Sequence, residues 1–152
     1  MTIQASDGVS VLRAHHLRVT APRLAVLGVL AELPAHVTVE QVAERARARI
    51  GVLSTQAVYD IMAALHRAGL VRRIAPAGSP ALFETRVGDN HHHLVCRGCG
   101  KAVDVDCATG DAPCLTPASA AGFDVDEAEI TFWGRCPECV AGAPVSADDR
   151  LP

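Results

Sequence analysis

Apolar positions recur with helical period through the first half of the chain, and each helical run opens and closes on a recognisable signal. Thr20 followed by Pro22 reads as an N-cap with proline in the first turn, after which Leu24, Leu27 and Leu30 repeat at threefold spacing until Pro34. Thr38 and Gln41 form a capping box for a second helix, with Val39, Val42, Ala43, Ala46 and Ile50 on one face and Gly51 as its stop. Ser54 caps a third helix, where Val58, Ile61, Met62 and Leu65 make an i, i+3, i+4, i+7 stripe ending at Gly69. Two helices across a short glycine-containing turn predict a helix-turn-helix. The period then shortens: 70–74 and 81–83 read as strands around the turn residues Pro76, Gly78 and Pro80. Helix, turn, helix and hairpin in this order describe a winged helix.

Beyond residue 88 the pattern changes to short strands at 102–105 and 129–133, with a brief helix after Thr116-Pro117 that Gly122 ends. From residue 141 onward no apolar period remains, so 141–152 is expected to be a disordered tail. A length of 152 residues allows one compact domain or two small ones. The 26 alanines and only 3% aromatics favour closely packed helices over an all-β sandwich. No uncharged stretch reaches the roughly 20 residues of a membrane span, and the start of the chain lacks the basic residues of a signal peptide. A soluble, cytoplasmic protein with no membrane partner is expected.

Charge divides the chain more sharply than the net value of −3 suggests. Residues 1–88 carry ten arginines against six acids, giving +4; residues 89–152 carry four basic residues against eleven acids, giving −7. A polyanion-binding unit joined to a cation-binding unit fits that split, because all six cysteines and a histidine run lie in the acidic part. Cys96-Arg97-Gly98-Cys99 and Cys136-Pro137-Glu138-Cys139 are paired CxxC knuckles, with Gly98 and Pro137 positioned to let backbone amides approach the thiolates. Four thiolates suit structural zinc; two disulfides or idle buried thiols are the plainer alternative. Residues 100–135 separate the pairs, a longer gap than in an ordinary zinc ribbon, so strands must bring the knuckles together.

In an extended segment alternate side chains share a face, so His91 and His93 point together and His92 points away. Histidine runs also occur in loops and tags. With Glu84 and Asp104 on flanking strands, however, this one supplies a mixed nitrogen and oxygen set suited to Fe2+ or Mn2+. Tyr59 falls opposite the apolar stripe of its helix, beside Ser54, Thr55, Gln56 and Asp60. A core tyrosine would be the ordinary reading, but this position faces outward. On a recognition helix it could meet a thymine methyl and a phosphate, and Gln56 an adenine edge. Arg18, Arg23, Arg72 and Arg73 are candidates for phosphate or minor-groove contact.

Three segments together carry a resemblance: Leu17-Arg18-Val19-Thr20-Ala21-Pro22-Arg23, Gln56-Ala57-Val58-Tyr59, and His91-His92-His93-Leu94-Val95-Cys96-Arg97-Gly98-Cys99-Gly100. Over about residues 10–140 the chain resembles the ferric uptake regulator (Fur) family of metal-dependent repressors. The resemblance implies an α+β protein: a winged-helix DNA-binding domain (1–86) and an α/β dimerisation and metal-binding domain (87–140) with a four-cysteine zinc site. It implies a homodimer on a palindromic double-stranded operator, with no small-molecule substrate. The family's regulatory metal position is matched by His36, Glu84, His91, His93 and Asp104. A peripheral site found in some members would fall at Asn90, His92 and near Ala128, of which only His92 is suitable.

Cys107 and Cys114 lie outside both knuckles and resemble the FurA or CatR branch, which represses a neighbouring catalase-peroxidase gene and its own gene. They are the candidate redox residues. In related peroxide sensors of the PerR type, an aspartate at the position of Glu84 favours oxidation of a ligand histidine, so Glu84 argues against fast metal-centred oxidation here. Within the family the rival reading is a manganese or peroxide sensor of the PerR type; outside it the rivals are a zinc- or iron-dependent metalloenzyme and a thiol oxidoreductase. Neither explains the basic winged helix, and no nucleophile or phosphate-loop motif accompanies them.

Overall fold

The computed structural model describes residues 7–89, 91–106, 121–124 and 130–142. The chain divides into two compact units, Met1–Gly88 and Asp89–Pro152.

The first unit runs α1 (Gly8–Ala14), α2 (Ala21–Leu30), α3 (Val39–Ile50), α4 (Thr55–Arg67), β1 (Arg72–Ile74) and β2 (Leu82–Glu84). The expected caps are formed: the Thr20 hydroxyl accepts from the Arg23 amide, Thr38 and Gln41 complete the capping box, and the Ser54 hydroxyl accepts from the Ala57 amide. Each satisfies an amide that the first helical turn would leave unpaired. Gly51 closes α3 at φ 80°, a left-handed value at which a side chain would be strained. Ala43 and Ala46 are fully buried on α3, as the alanine-rich composition implied. Ile50 departs from expectation: at the last residue of α3 it is exposed rather than part of the stripe. Helix α1 was not expected from the sequence. Its Asp7 makes no side-chain cap, and it is held by the buried Leu12 and by the close approach of Gly8 to Leu24.

The wing is shorter than 70–74 and 81–83 suggested. Leu70 turns back to hydrogen-bond the Leu65 carbonyl, and the second strand shifts by one residue so that Glu84 enters the ladder opposite Arg72. Val37 and Phe83 exchange backbone hydrogen bonds of 3.0 and 2.8 Å, which ties the segment before α3 to β2.

The second unit has a three-stranded sheet in the order β4-β3-β5, where β3 is His91–Cys96, β4 is Ala102–Asp106 and β5 is Thr131–Gly134. Strand β4 is antiparallel to β3 and β5 is parallel to it. A short α5 (Pro137–Val140) follows. Cys107, Cys114, the helix expected after Thr116-Pro117 and the tail from 143 to 152 lie outside the described residues. Among the described residues no helix is long and apolar enough to cross a membrane.

Candidate functional site

The parallel pairing of β3 with β5 closes the long gap between the knuckles. Cys96 stands opposite Gly134, so Cys136 follows two residues past the same end of the sheet. The Arg97 amide donates to the Gly134 carbonyl at 2.7 Å, and the Cys96 amide to the Lys101 carbonyl at 2.9 Å, folding the first knuckle over the strand end. The result is that sulfurs of Cys96, Cys99, Cys136 and Cys139 all lie within 4.8 Å of one another. All four are free thiols, and three are buried.

The Cys96 sulfur accepts amide hydrogen bonds from Gly98 at 3.3 Å and Cys136 at 3.2 Å. Burial opposes its ionisation, but the amides of Cys136, Cys99 and Gly98 outweigh that and pull the thiol down to about 6. Cys136 is pushed up to about 12, chiefly by the Glu138 carboxylate. Gly98 leaves room for the cluster: a Cβ there would stand 2.9 Å from the Cys139 sulfur. Four sulfurs converging on one point, with amides already directed at one of them, fit a tetrahedral thiolate-bound ion. Around them Arg97 lies over the Trp133 ring at 4.9 Å, and Arg135 donates to the Cys139 carbonyl at 2.6 Å.

On the same sheet, His91, His93 and Asp104 share a face. His93 is the cross-strand partner of Asp104, and both imidazole Nε2 atoms lie 3.9 Å from its Oδ1. The His91 and His93 ring centroids are 5.0 Å apart, and His91 Nδ1 reaches Asp89 at 3.2 Å. His92 is on the other face against Phe132, as alternation requires. Asn90 and Ala128 of the peripheral set fall outside the described residues. In the first unit, the Val37–Phe83 bridge sets His36 beside β2, where its Nε2 lies 3.1 Å from Glu84 Oε2. Glu84 is buried, with Arg72 Nε 3.8 Å from its other oxygen. Arg72 therefore departs from the expected phosphate contact: its side chain is mostly buried against Glu84, whereas Arg73 is exposed.

Helix α4 turns Val58, Ile61, Met62 and Leu65 into the core and leaves Tyr59, Gln56 and Asp60 exposed. Thr55 is half-buried, and its hydroxyl accepts from Arg47, which also donates to the Leu53 carbonyl and so braces the turn between α3 and α4. Ser54 is exposed and caps α4. Arg18 is exposed, and its carbonyl accepts from the half-buried Arg23. Sequence reasoning missed Arg47 and Glu40; both act across many residues, through contacts that no local spacing records.

The ferric uptake regulator family model matches residues 14–133. The transcriptional regulator FurA of Mycobacterium tuberculosis is 53% identical over 133 residues, covering 88% of this chain and 90% of the relative. Ferric uptake regulation protein 1 of Mycolicibacterium fortuitum is 55% identical over 127 residues, covering 84% of this chain and 78% of the relative. The crystal structure of the Vibrio cholerae ferric uptake regulator aligns with a TM-score of 0.69 at 25% identity, covering 84% of this chain and 98% of that one. These relatives are regulators rather than enzymes, and the chain belongs to the ferric uptake regulator family of transcriptional regulators.

Proposed function

We propose that the chain is a cytoplasmic, metal-dependent repressor that binds a palindromic DNA operator as a homodimer. Cys96, Cys99, Cys136 and Cys139 hold a structural Zn2+. His36, Glu84, His91, His93 and Asp104 take one regulatory Fe2+ or Mn2+, for which zinc can substitute in vitro. An ion that draws ligands from both units fixes their mutual angle, and a coupling free energy of about 1–3 kcal/mol gives a roughly 5- to 150-fold change in DNA affinity. The winged-helix unit contacts DNA through Arg18, Arg23, Ser54, Thr55, Gln56 and Tyr59.

One observation carries the reading: the chain combines a winged helix whose α4 presents an exposed polar face with two chemically distinct donor sets in the second unit, the sulfurs of Cys96, Cys99, Cys136 and Cys139 and the nitrogen and oxygen atoms of His91, His93 and Asp104. Control of a catalase-peroxidase gene and of the chain's own gene is carried over from the resemblance of Cys107 and Cys114 to the FurA or CatR branch. Cys107 and Cys114 are proposed to make that control redox-responsive. Footprinting on DNA upstream of both genes, with zinc-loaded protein and with or without Mn2+, tests the proposal. Protection of a palindromic segment only with Mn2+ is expected; equal protection without the ion would overturn the metal dependence.

A further inference from the structure

The side chains that α4 offers to DNA have already committed part of their hydrogen-bonding capacity. The Tyr59 hydroxyl donates to Glu40 Oε1 of α3 at 2.7 Å, and Gln56 Nε2 donates to Asp60 Oδ1 at 2.9 Å. The Tyr59 hydroxyl holds the Glu40 carboxyl below its ordinary range, and Glu40 raises the phenol above its own, so the proton rests on tyrosine and the carboxylate accepts. Arg47 locks the turn between α3 and α4 and so keeps the two partners in register.

A phosphate oxygen only accepts hydrogen bonds, and tyrosine has one O–H to give. With its O–H donated to the Glu40 carboxylate, Tyr59 has no donor left for the DNA backbone, and the adjacent charge repels a phosphate. What remains is the ring face, suited to a thymine methyl, and the oxygen lone pairs, which accept from the amino group of adenine or cytosine. Gln56 is restricted in a complementary way. Asp60 takes one of its two N–H groups and fixes the orientation of the amide, leaving one donor and one acceptor, the pair that an adenine edge requires.

We propose that Glu40 is a specificity-determining residue of DNA recognition: it withholds the Tyr59 hydroxyl from the phosphate backbone and leaves Tyr59 to read a base edge. The proposal rests on the reading above that α4 is the recognition helix. It changes the expected role of Tyr59, because the phosphate contact is no longer available to it.

The test selects bound duplexes from a library randomised over about 30 base pairs, using full-length protein loaded with zinc and Mn2+, and then measures affinity for the selected duplex and for calf-thymus DNA. Glu40→Gln keeps an acceptor for the hydroxyl and loses the charge. It is expected to select the wild-type motif, with both affinities raised by a similar factor of roughly five. Glu40→Ala frees the hydroxyl and is expected to relax the motif at the Tyr59 positions, lowering the ratio of selected to calf-thymus affinity about tenfold. Adding Tyr59→Phe to Glu40→Ala should return calf-thymus affinity to the Glu40→Gln level. Glu40→Ala selecting the wild-type motif at the wild-type ratio would overturn the proposal, as would a double variant that keeps the added calf-thymus affinity. Failure of the underlying reading looks different: Tyr59→Ala would then select the wild-type motif at the wild-type ratio. Glu40 is exposed, and circular dichroism of each variant confirms that α3 and α4 remain folded.

Discussion

Replacing Gly98 by alanine places one methyl group inside the sulfur cluster. The new Cβ would lie 2.9 Å from the Cys139 sulfur, 3.3 Å from the Cys139 Cβ and 3.7 Å from the Cys96 sulfur. The first of these is too close for carbon and sulfur, so either the first knuckle opens or Cys139 withdraws. Cys139 is buried on α5, and Arg135 holds its carbonyl at 2.6 Å, which leaves little slack. Overpacking of this kind costs about 1–3 kcal/mol. The cost falls mainly on the zinc-bound form, where the four sulfurs must converge. Zinc binding at such sites is worth about 10–16 kcal/mol, so Gly98→Ala should keep its zinc but bind it roughly 5- to 150-fold more weakly. Gly134→Ala is the control, because a Cβ there meets nothing within 4 Å although it lies beside the second knuckle. Competition for zinc against a chelating dye, on reduced zinc-free protein, measures both. A Gly98→Ala affinity within about twofold of wild type, or an equal loss in Gly134→Ala, would refute the crowding argument.

Zinc loading near neutral pH should release fewer protons than four thiols would supply, since Cys96, at about 6, is already a thiolate; the buffer dependence of the calorimetric heat measures this. Because that thiol lies below its ordinary 9.0, its thiolate stabilises the zinc-free fold in full above about 9, and the contribution is lost as pH falls through about 6; denaturant unfolding at several pH values checks the direction. Thr38→Ala removes a helix cap and should lower denaturant stability by about 0.5–2 kcal/mol, and an unchanged midpoint would contradict the role of the capping box. Tyr59→Ala should weaken operator binding by about 1–3 kcal/mol whether or not Mn2+ is present, and anisotropy would show a loss confined to one condition if this were wrong. With diamide, a Cys107→Ser, Cys114→Ser double variant should retain operator binding longer than wild type; equal rates of loss would transfer the redox role to the knuckle thiols.

The first unit was legible because its signals are local. Thr20, Thr38 and Ser54 each bond within three residues, and the α4 stripe of Val58, Ile61, Met62 and Leu65 is buried as its spacing implies. The common face of His91 and His93 followed from strand alternation alone. Three features depend on long-range pairing and were not legible. The parallel β3–β5 register unites knuckles separated by 36 residues, and no periodicity specifies it. Arg72 looks from the sequence like any wing arginine, and only the one-residue shift of β2 sets it opposite Glu84. The Tyr59–Glu40 bond joins two exposed polar residues 19 positions apart, so hydrophobic patterning is silent about it.

The central claim is that a divalent ion at the histidine and carboxylate ligands controls DNA binding. It is tested most directly by titrating Mn2+ into zinc-loaded protein mixed with a fluorescent duplex from upstream of its own gene, alongside His93→Ala with the same zinc content. The account predicts that Mn2+ raises wild-type DNA affinity roughly 5- to 150-fold and leaves that of His93→Ala unchanged. An equal response in the two proteins, or none in wild type, would contradict it.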